Sequence, residues 1–234
     1  MKDLPTADLA RRADQVQKGG ARAAVLGVND GLVSVLCIIL GLAGAGAAAA
    51  DVRLAAVAGL VAGAVSMAAG EWISVTAQVE LFKGVLTELR GFVRDAPQAL
   101  TEELAGALRR SGFSDRTARA AAGEAAQDHE QLFTVSARRI VGIDPRELGS
   151  PWTSALSSFA LFTVGGLIPC VPWFLGGGPG AVTASIVCTC LAALGVGAVV
   201  ARSSGRSLVY GAVRQLAIVL IAAAVTYFAG TLVG

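Results

Sequence analysis

Five long apolar stretches constrain this sequence more than any other feature. A helix needs about 20 consecutive apolar residues to cross about 30 Å of membrane hydrocarbon. The stretches approach or exceed that length, at about 23–50, 54–77, 152–175, 181–201 and 207–232. Apolar residues make up 54% of the 234 positions and charged residues only 15%. We therefore predict an all-α, polytopic membrane protein with five transmembrane helices.

The third apolar stretch contains two prolines, Pro169 and Pro172. A spanning helix tolerates proline where neighbouring helices or water bind the carbonyl groups that proline leaves free. We expect this stretch to be a span with a bent end.

A polar segment, residues 80–148, separates the second and third stretches, and we call it the insert. It holds eleven acidic and ten basic residues, and its apolar residues recur at helical spacing. Turn-forming residues divide it into three predicted helices, at about 78–94, 98–110 and 115–141. The predicted domains are an N-terminal segment, helices one and two, the insert, and helices three to five, at 1–22, 23–79, 80–148 and 149–234.

Lys and Arg predict the orientation, because they accumulate on the cytoplasmic side of a membrane. They are concentrated before the first stretch, in the insert and between the last two stretches. We expect a multi-pass protein of the plasma (inner) membrane, with a cytoplasmic N-terminus and insert and the C-terminus outside. Residues 1–20 lack the apolar core of a signal peptide. The net charge of +2 reflects this asymmetry, so we expect no nucleic-acid partner.

Two acidic residues, Asp30 and Glu71, interrupt the first two stretches. A carboxylate inside a spanning helix costs at least ~2.5 kcal/mol, so we expect both to line a polar path. At about 1.5 Å per residue, Asp30 lies about 10 Å and Glu71 about 9 Å from the cytoplasmic end of its helix. The two carboxylates are therefore predicted to lie at matching depth.

Other polar side chains extend these two positions into stripes along the helices. Helical spacing places Asp30, Ser34 and Cys37 on one face, and Met67, Glu71, Ser74 and Gln78 on another. Carboxylate oxygens suit divalent cations, and a thioether favours Fe²⁺ over Mg²⁺ or Ca²⁺. We predict a metal path with the ligands Asp30, Met67 and Glu71, and weaker candidates Asn29, Ser34 and Ser74.

Simpler interpretations of these residues stay open at this point. Met67 is also a packing residue, and Glu71 is long enough to extend to the membrane interface. Asn29, Asp30 and Gly31 form a turn sequence, so Asp30 is also a candidate cap of an interrupted helix. The Gly59 and Gly63 pair predicts a close helix contact, for which a dimer axis is one location.

The sequence offers few residues for catalysis or for binding a cofactor. The chain has one histidine and none of the common nucleophile, phosphate-loop or cofactor motifs, so we expect neither an enzyme nor a permanently bound cofactor. The four cysteines lie in or at apolar stretches and are treated as small apolar residues, without a predicted disulfide or metal role: Cys37, Cys170, Cys188 and Cys190.

Four stretches resemble signature segments of the vacuolar iron transporter family: 27–34, 62–75, 165–172 and 211–230. This resemblance covers nearly the whole chain in order. It implies a homodimer that exports Fe²⁺, and often Mn²⁺, from the cytosol in exchange for protons, along a path between protomers lined by the first two spans. By position, Asp30 and Met67 match the family's pathway carboxylate and thioether, and Glu71 matches the acid of its Gly-Glu-aromatic motif.

The insert departs from that family. Members with a full metal-binding domain carry repeated Glu and a Met there, whereas this insert has no Met and has Ile140 at a position aligned with Glu. Glu88 and Glu103 align with retained acids, and Glu124 and Asp128 form an i, i+4 pair. We expect a weakened or lost cytosolic metal store with these four weak ligand candidates. The alternative function is a membrane-anchored metal-binding or sensing protein without transport.

Overall fold

The computed structural model describes residues 20–234, with side chains from residue 25 onward. In this part of the chain there are eight α-helices, and a π-helical turn at Ala137–Val141 follows the fifth. The helices are α1 Gly20–Gly44, α2 Ala49–Asp95, α3 Pro97–Arg110, α4 Asp115–Ala125, α5 His129–Ser136, α6 Pro151–Leu175, α7 Pro179–Ser203 and α8 Leu208–Val233. Residues 1–19 of the predicted N-terminal segment lie outside the described residues.

Five of the described helices, namely α1, α2, α6, α7 and α8, are long and apolar enough to cross a membrane. The prediction of an all-α polytopic membrane protein is therefore confirmed. The chain divides into two compact units. The first comprises the described residues up to Trp72 together with Trp152–Gly234, and the second is Ile73–Pro151, which contains the insert.

The core of the first unit is made of apolar side chains from several spans. One cluster groups Val35 and Ile39 of α1 with Leu60 of α2 and with Phe162 and Trp173 of α6. A second cluster groups Leu36 and Leu40 of α1 with residues of α7 and α8: Ala193, Val219 and Ala223. Helix α1 therefore has apolar contacts on two sides. Its four side chains in these clusters, and the two from α6, are at most 3% exposed.

Glycines allow the helix backbones of this unit to approach one another. A Cβ added to Gly165 of α6 would lie 2.2 Å from the Val28 carbonyl oxygen of α1, and one at Gly31 would lie 2.2 Å from the Phe162 carbonyl oxygen. A Cβ at Gly230 of α8 would lie 2.0 Å from the Gly41 carbonyl oxygen. No side chain fits at these crossings, so glycine is required there for α1 to pack against α6 and α8.

The ends of the first two spans differ from the predicted bounds. Helix α1 ends at Gly44 rather than near residue 50, because Gly46 adopts a left-handed conformation with φ of 72°. The backbone N–H groups of Asp51 and Val52 bond to the Ala48 carbonyl, and α2 begins at Ala49. The alanine-rich sequence between the spans hid this turn, since alanine continues a helix as readily as it ends an apolar run.

Helix α6 continues to Leu175 through both of its prolines. The buried Ser185 hydroxyl of α7 donates a hydrogen bond of 2.7 Å to the Pro169 carbonyl oxygen. This hydrogen bond links α7 to the proline-containing part of α6. The carbonyls that Pro169 and Pro172 leave without an intrahelical donor are a different pair, those of Gly165 and Ile168.

The second unit has its own apolar core. Buried residues from the end of α2 and from α3, α4 and α5 form it, including Leu89, Leu104, Ala118 and Leu132. The single helix predicted at 115–141 is wrong, because the chain turns after Ala125 and restarts at His129. Asp128 causes this restart by capping α5, with its carboxylate accepting a hydrogen bond of 2.8 Å from the Glu130 N–H.

A candidate metal site on the first two spans

Asp30 lies within the uninterrupted helix α1, and its side chain is exposed on the protomer surface. The interpretation of Asp30 as the cap of an interrupted helix is therefore wrong. Gly31 does not form a turn here. It is required because the close contact of α1 with the Phe162 backbone leaves no room for a side chain. The Ser34 hydroxyl, one turn later, donates a hydrogen bond of 3.1 Å to the Asp30 carboxylate. One carboxylate and one hydroxyl of the predicted stripe thus form a polar pair on a spanning helix.

Phe162 of α6 fixes the positions of the first two spans relative to each other. Its carbonyl oxygen lies against Gly31 of α1, and its ring lies 2.3 Å from an added Cβ on Gly63 of α2. Asp30 immediately precedes Gly31, and Met67 follows Gly63 by about one helical turn. Each of the two predicted ligands therefore lies within about one helical turn of a glycine that faces Phe162.

The same contacts locate the Gly59 and Gly63 pair. An added Cβ on Gly59 would lie 2.3 Å from Cδ1 of Ile38 in α1, and Gly63 faces Phe162. Both glycines therefore make close helix contacts within the protomer. The predicted close-packing role is confirmed, and the location is α1 and α6 of the same chain rather than a dimer axis.

Met67 is half-buried and packs at the edge of the cluster that contains Phe162. Its side chain thus has an apolar contact on one side and a free side on the other. The geometry is compatible with both interpretations of the thioether, as packing and as a ligand. A substitution that preserves the side-chain volume would separate the packing role from the ligand role.

Glu71 lies on α2 one turn beyond Met67 and is half-buried, while Ser74 is exposed. Among the described residues, neither side chain forms a hydrogen bond or an ion pair. The neighbouring Trp72 packs against Trp152 at the start of α6, with ring centroids 5.9 Å apart and planes tilted by 59°. This aromatic pair joins α2 to α6 next to Glu71.

Asn29 has a partner that sequence reasoning missed. Its side-chain oxygen accepts a hydrogen bond from the Gln215 amide of α8. Asn29 was a weaker pathway candidate, and this bond makes it a link between the first and last spans next to Asp30. The available signal was a lone amide in the last apolar stretch, since polar side chains in spans commonly bond across helices.

Of the four insert acids that are weak ligand candidates, only Glu88 and Glu103 line the same cleft. Glu88 of α2 and Glu103 of α3 line one cleft, and Ile140 of the π-helical turn lines it too. The predicted i, i+4 pair of Glu124 and Asp128 is wrong, because α4 ends at Ala125 and Asp128 caps the next helix. Glu103 is also bonded to Arg110, at 3.0 Å.

Other insert acids are paired with arginine or with the backbone. The Asp115 carboxylate accepts hydrogen bonds from Arg119, and also from Arg109, and these hold its pKa below the usual value. The pKa of Asp144 is lowered chiefly by a hydrogen bond from the Arg146 backbone N–H and also by Arg138. A metal ion would have to compete with these cations. Within the described residues there is no group of three or more His, Cys, Asp and Glu side chains suited to a metal ion.

Comparisons with known proteins all find similarity to one family. The model of the VIT family matches residues 21–231. The chain is 34% identical over 152 residues to the vacuolar iron transporter of Acanthamoeba castellanii, a match that covers 64% of the chain and 54% of the relative. It is 36% identical over 116 residues to vacuolar iron transporter homolog 2 of Arabidopsis thaliana, which covers 48% of the chain and 52% of the relative.

A third relative, vacuolar iron transporter homolog 5 of Oryza sativa subsp. japonica, is 43% identical over 98 residues, 42% of each chain. The chain spans about half the length of these curated relatives or less. The family model, in contrast, matches the described structure from α1 into the last helix. The resemblance found in the sequence is confirmed, and this chain belongs to the VIT family.

Proposed function

We propose that this protein transports a divalent transition metal, with Fe²⁺ as the main substrate and Mn²⁺ or Co²⁺ as further ones, out of the cytosol in exchange for protons. The observation that carries this proposal is the exposed carboxylate of Asp30 on a helix long and apolar enough to span a membrane. A charge in such a position is costly and marks an ion pathway far more often than a structural contact. Membership of the VIT family and the names of its curated relatives support iron as the substrate.

The ligand set would combine oxygen and sulfur. Asp30 and Glu71 supply carboxylates, and Met67 supplies a thioether from the same helix as Glu71. Oxygen ligands replace the water that a cation loses in the membrane. The softer sulfur favours Fe²⁺ and Co²⁺ over Mg²⁺ and Ca²⁺, which bind oxygen almost exclusively.

A homodimer would complete this site. In the protomer the Asp30 side chain is exposed, and lipid is a poor environment for a carboxylate. A second copy packed against α1 and α2 would cover it and would place two copies each of Asp30, Met67 and Glu71 around one axis. The apolar outer face of α2, where Val61 is 56% and Val65 54% exposed, is available for that contact.

Proton exchange needs no additional group. A carboxylate that binds M²⁺ when ionised can bind a proton after the metal has left, since both ligands occupy the same oxygen atoms. Alternate occupancy of Asp30 by metal and proton would couple the two fluxes in opposite directions. Export is the proposed direction, because an inward proton gradient across the plasma membrane would drive metal outward. The distribution of Lys and Arg supports a cytoplasmic N-terminus and insert in that membrane.

Metal flux into liposomes tests the proposed substrate class. Purified protein is reconstituted around an internal metal indicator, and Fe²⁺, Mn²⁺, Co²⁺, Zn²⁺, Mg²⁺ and Ca²⁺ are supplied outside in turn. We expect flux of the transition metals and none of Mg²⁺ or Ca²⁺ above protein-free vesicles. Saturable binding of metal without any flux would instead support the membrane-anchored binding or sensing protein.

Substitution of Met67 by Leu separates the two roles of this side chain. Leu preserves volume and apolar contact with the Phe162 cluster, so a packing role predicts little change. We expect the ligand role, with Fe²⁺ and Co²⁺ transport reduced about five- to tenfold and Mn²⁺ transport reduced much less, because Mn²⁺ depends less on sulfur. The control is Leu60→Met, a buried position on the same helix. Equal loss or equal retention for all ions contradicts a thioether ligand.

The insert acids are expected to matter less than Glu71. A variant with Glu88, Glu103 and Glu124 changed to Gln, and Asp128 changed to Asn so that the α5 cap is kept, should transport metal within about twofold of the parent, since exposed charges only concentrate cations weakly. Glu71→Gln, measured beside it, should lose most transport because a half-buried ion is left uncompensated. If the quadruple variant were as inactive as Glu71→Gln, the insert would be a working metal-binding domain.

A further inference from the structure

The second unit contains a cleft of about 340 Å³ that the metal pathway does not use. It lies between the end of α2, the start of α3 and the π-helical turn. Two carboxylates, Glu88 and Glu103, share it with apolar side chains, among them Leu89, Phe92, Leu100 and Ile140. The cleft therefore has an acidic part and an apolar part.

The apolar part offers both a floor and a free aromatic ring. Leu89 and Leu100 are 6% and 8% exposed, so they belong to the packed core beneath the cleft. Phe92, in contrast, is 58% exposed. It lies four residues after Glu88 on the same helix, so the ring and the carboxylate share one face.

The acidic part carries one uncompensated charge. Glu103 is bonded to Arg110 at 3.0 Å, which neutralises it in part. Glu88 is exposed, and no hydrogen bond or ion pair engages its carboxylate in the part of the chain that the structure describes. A ligand in the cleft would therefore encounter a net negative charge beside a phenyl ring.

This donor set is poor for a divalent metal. Hard divalent ions take six or more oxygen ligands, and softer ones take His or Cys, whereas this cleft supplies two carboxylates among mostly apolar side chains. A monovalent organic ammonium ion requires fewer charged ligands and benefits from apolar contacts. Its charge is satisfied by one carboxylate and the face of an aromatic ring, and its carbon body gains from an apolar floor.

We propose that this cleft binds an organic ammonium ion with an aromatic or branched aliphatic body. Glu88 and Phe92 recognise the cationic head, and Leu89, Leu100 and Ile140 contact the body. The volume of about 340 Å³ accommodates a ligand of roughly ten to fifteen non-hydrogen atoms. The proposal goes beyond metal transport and does not depend on it, because it involves only residues of the second unit.

Ligand binding to the full chain in lipid nanodiscs tests the proposal, with benzyltrimethylammonium as the probe and saturation-transfer NMR as the readout. We expect saturable binding at millimolar concentration or below. Tetramethylammonium, which lacks the body, and benzoate, which has the opposite charge, should bind at least about tenfold more weakly. Empty nanodiscs measure partition of the probe into lipid.

Variants connect the binding to the cleft. Glu88→Gln should weaken it about tenfold and Phe92→Leu about threefold, since each removes one electrostatic contact with the head. Both side chains are exposed, so the fold should tolerate these changes. Glu102→Gln is the matched control, because Glu102 is an exposed neighbour of Glu103 that does not line the cleft.

Three results would overturn the proposal. The first is an absence of saturable binding, or equal binding by the parent and by Glu88→Gln. The second is displacement of the probe by micromolar Mn²⁺ in the parent but not in Glu88→Gln, which would make the cleft a metal site. The third is a change of oligomeric state in Phe92→Leu without a change in probe affinity, which would show that a second copy covers the cleft.

Discussion

Asp30→Asn is expected to abolish metal transport while expression, thermal stability and assembly remain those of the parent. The amide preserves the size of the side chain and can still accept a hydrogen bond from Ser34. It removes the negative charge that attracts the metal and the group that exchanges a proton. Loss of transport without loss of fold is therefore the signature of a pathway ligand. The measurement is the initial rate of Fe²⁺ and Mn²⁺ entry into liposomes.

Asp51→Asn is the matched control for this variant. Asp51 is also an exposed aspartate of the first two spans, but it lies in the first turn of α2, at the other end of the span from Glu71. We expect this substitution to change the transport rate by less than about twofold. The Asp51 charge lies at a helix terminus, where it contributes only about 0.3–1 kcal/mol to helix stability. Transport by Asp30→Asn at the parental rate, or equal loss in both variants, would contradict the assignment of Asp30.

Gly165→Ala is expected to destabilise the protein more than any other single methyl group added to α6. The new Cβ would lie 2.2 Å from the Val28 carbonyl oxygen, and a backbone carbonyl cannot rotate away as a side chain can. Helices α1 and α6 must then separate, and overpacking of this kind costs about 3 kcal/mol or more. Val28 lies two residues before Asp30, so the metal site should be disturbed as well. Thermal unfolding in detergent and metal flux measure the two effects.

Gly195→Ala provides the comparison for Gly165→Ala. Gly195 also lies in a spanning helix, α7, and a Cβ there has no atom within 4 Å among the described residues. Ala is more favourable than Gly inside a helix by about 0.5–1 kcal/mol, so this variant should be as stable as the parent or slightly more stable. If Gly165→Ala unfolds at the parental temperature, the close approach of α1 and α6 is not a feature of the folded protein.

The spans were predictable because membrane hydrocarbon demands a minimum length of apolar sequence, and five stretches meet it. The end of α1 was not predictable at the same level. Residues 44–50 are Gly and Ala, and hydropathy alone does not distinguish a turn at Gly46 from a continuing helix. Composition thus predicts which segments cross a membrane, whereas glycine conformation determines where they stop.

Side-chain partners were the least predictable part of the site. Asn29 and Gln215 are 186 residues apart in sequence, and only the packing of α1 against α8 brings them together. In the insert, the spacing of Glu124 and Asp128 suggested one helix face, but Asp128 satisfies a backbone N–H of the next helix instead. The spacing of residues indicates which of them share a face only within one continuous helix. A residue such as Asp128, whose side chain bonds to the backbone, can start a new helix and so break that spacing.

Simultaneous recording of metal and proton movement tests the central claim, which is exchange of a divalent metal for protons through the site at Asp30. Liposomes containing the purified protein carry a metal indicator and a pH indicator, and Fe²⁺ or Mn²⁺ is added outside under an imposed pH gradient. We predict that metal enters as protons leave, that collapse of the gradient slows metal entry, and that both fluxes vanish in Asp30→Asn. Metal entry that continues without proton movement, or that matches protein-free vesicles, would contradict the account.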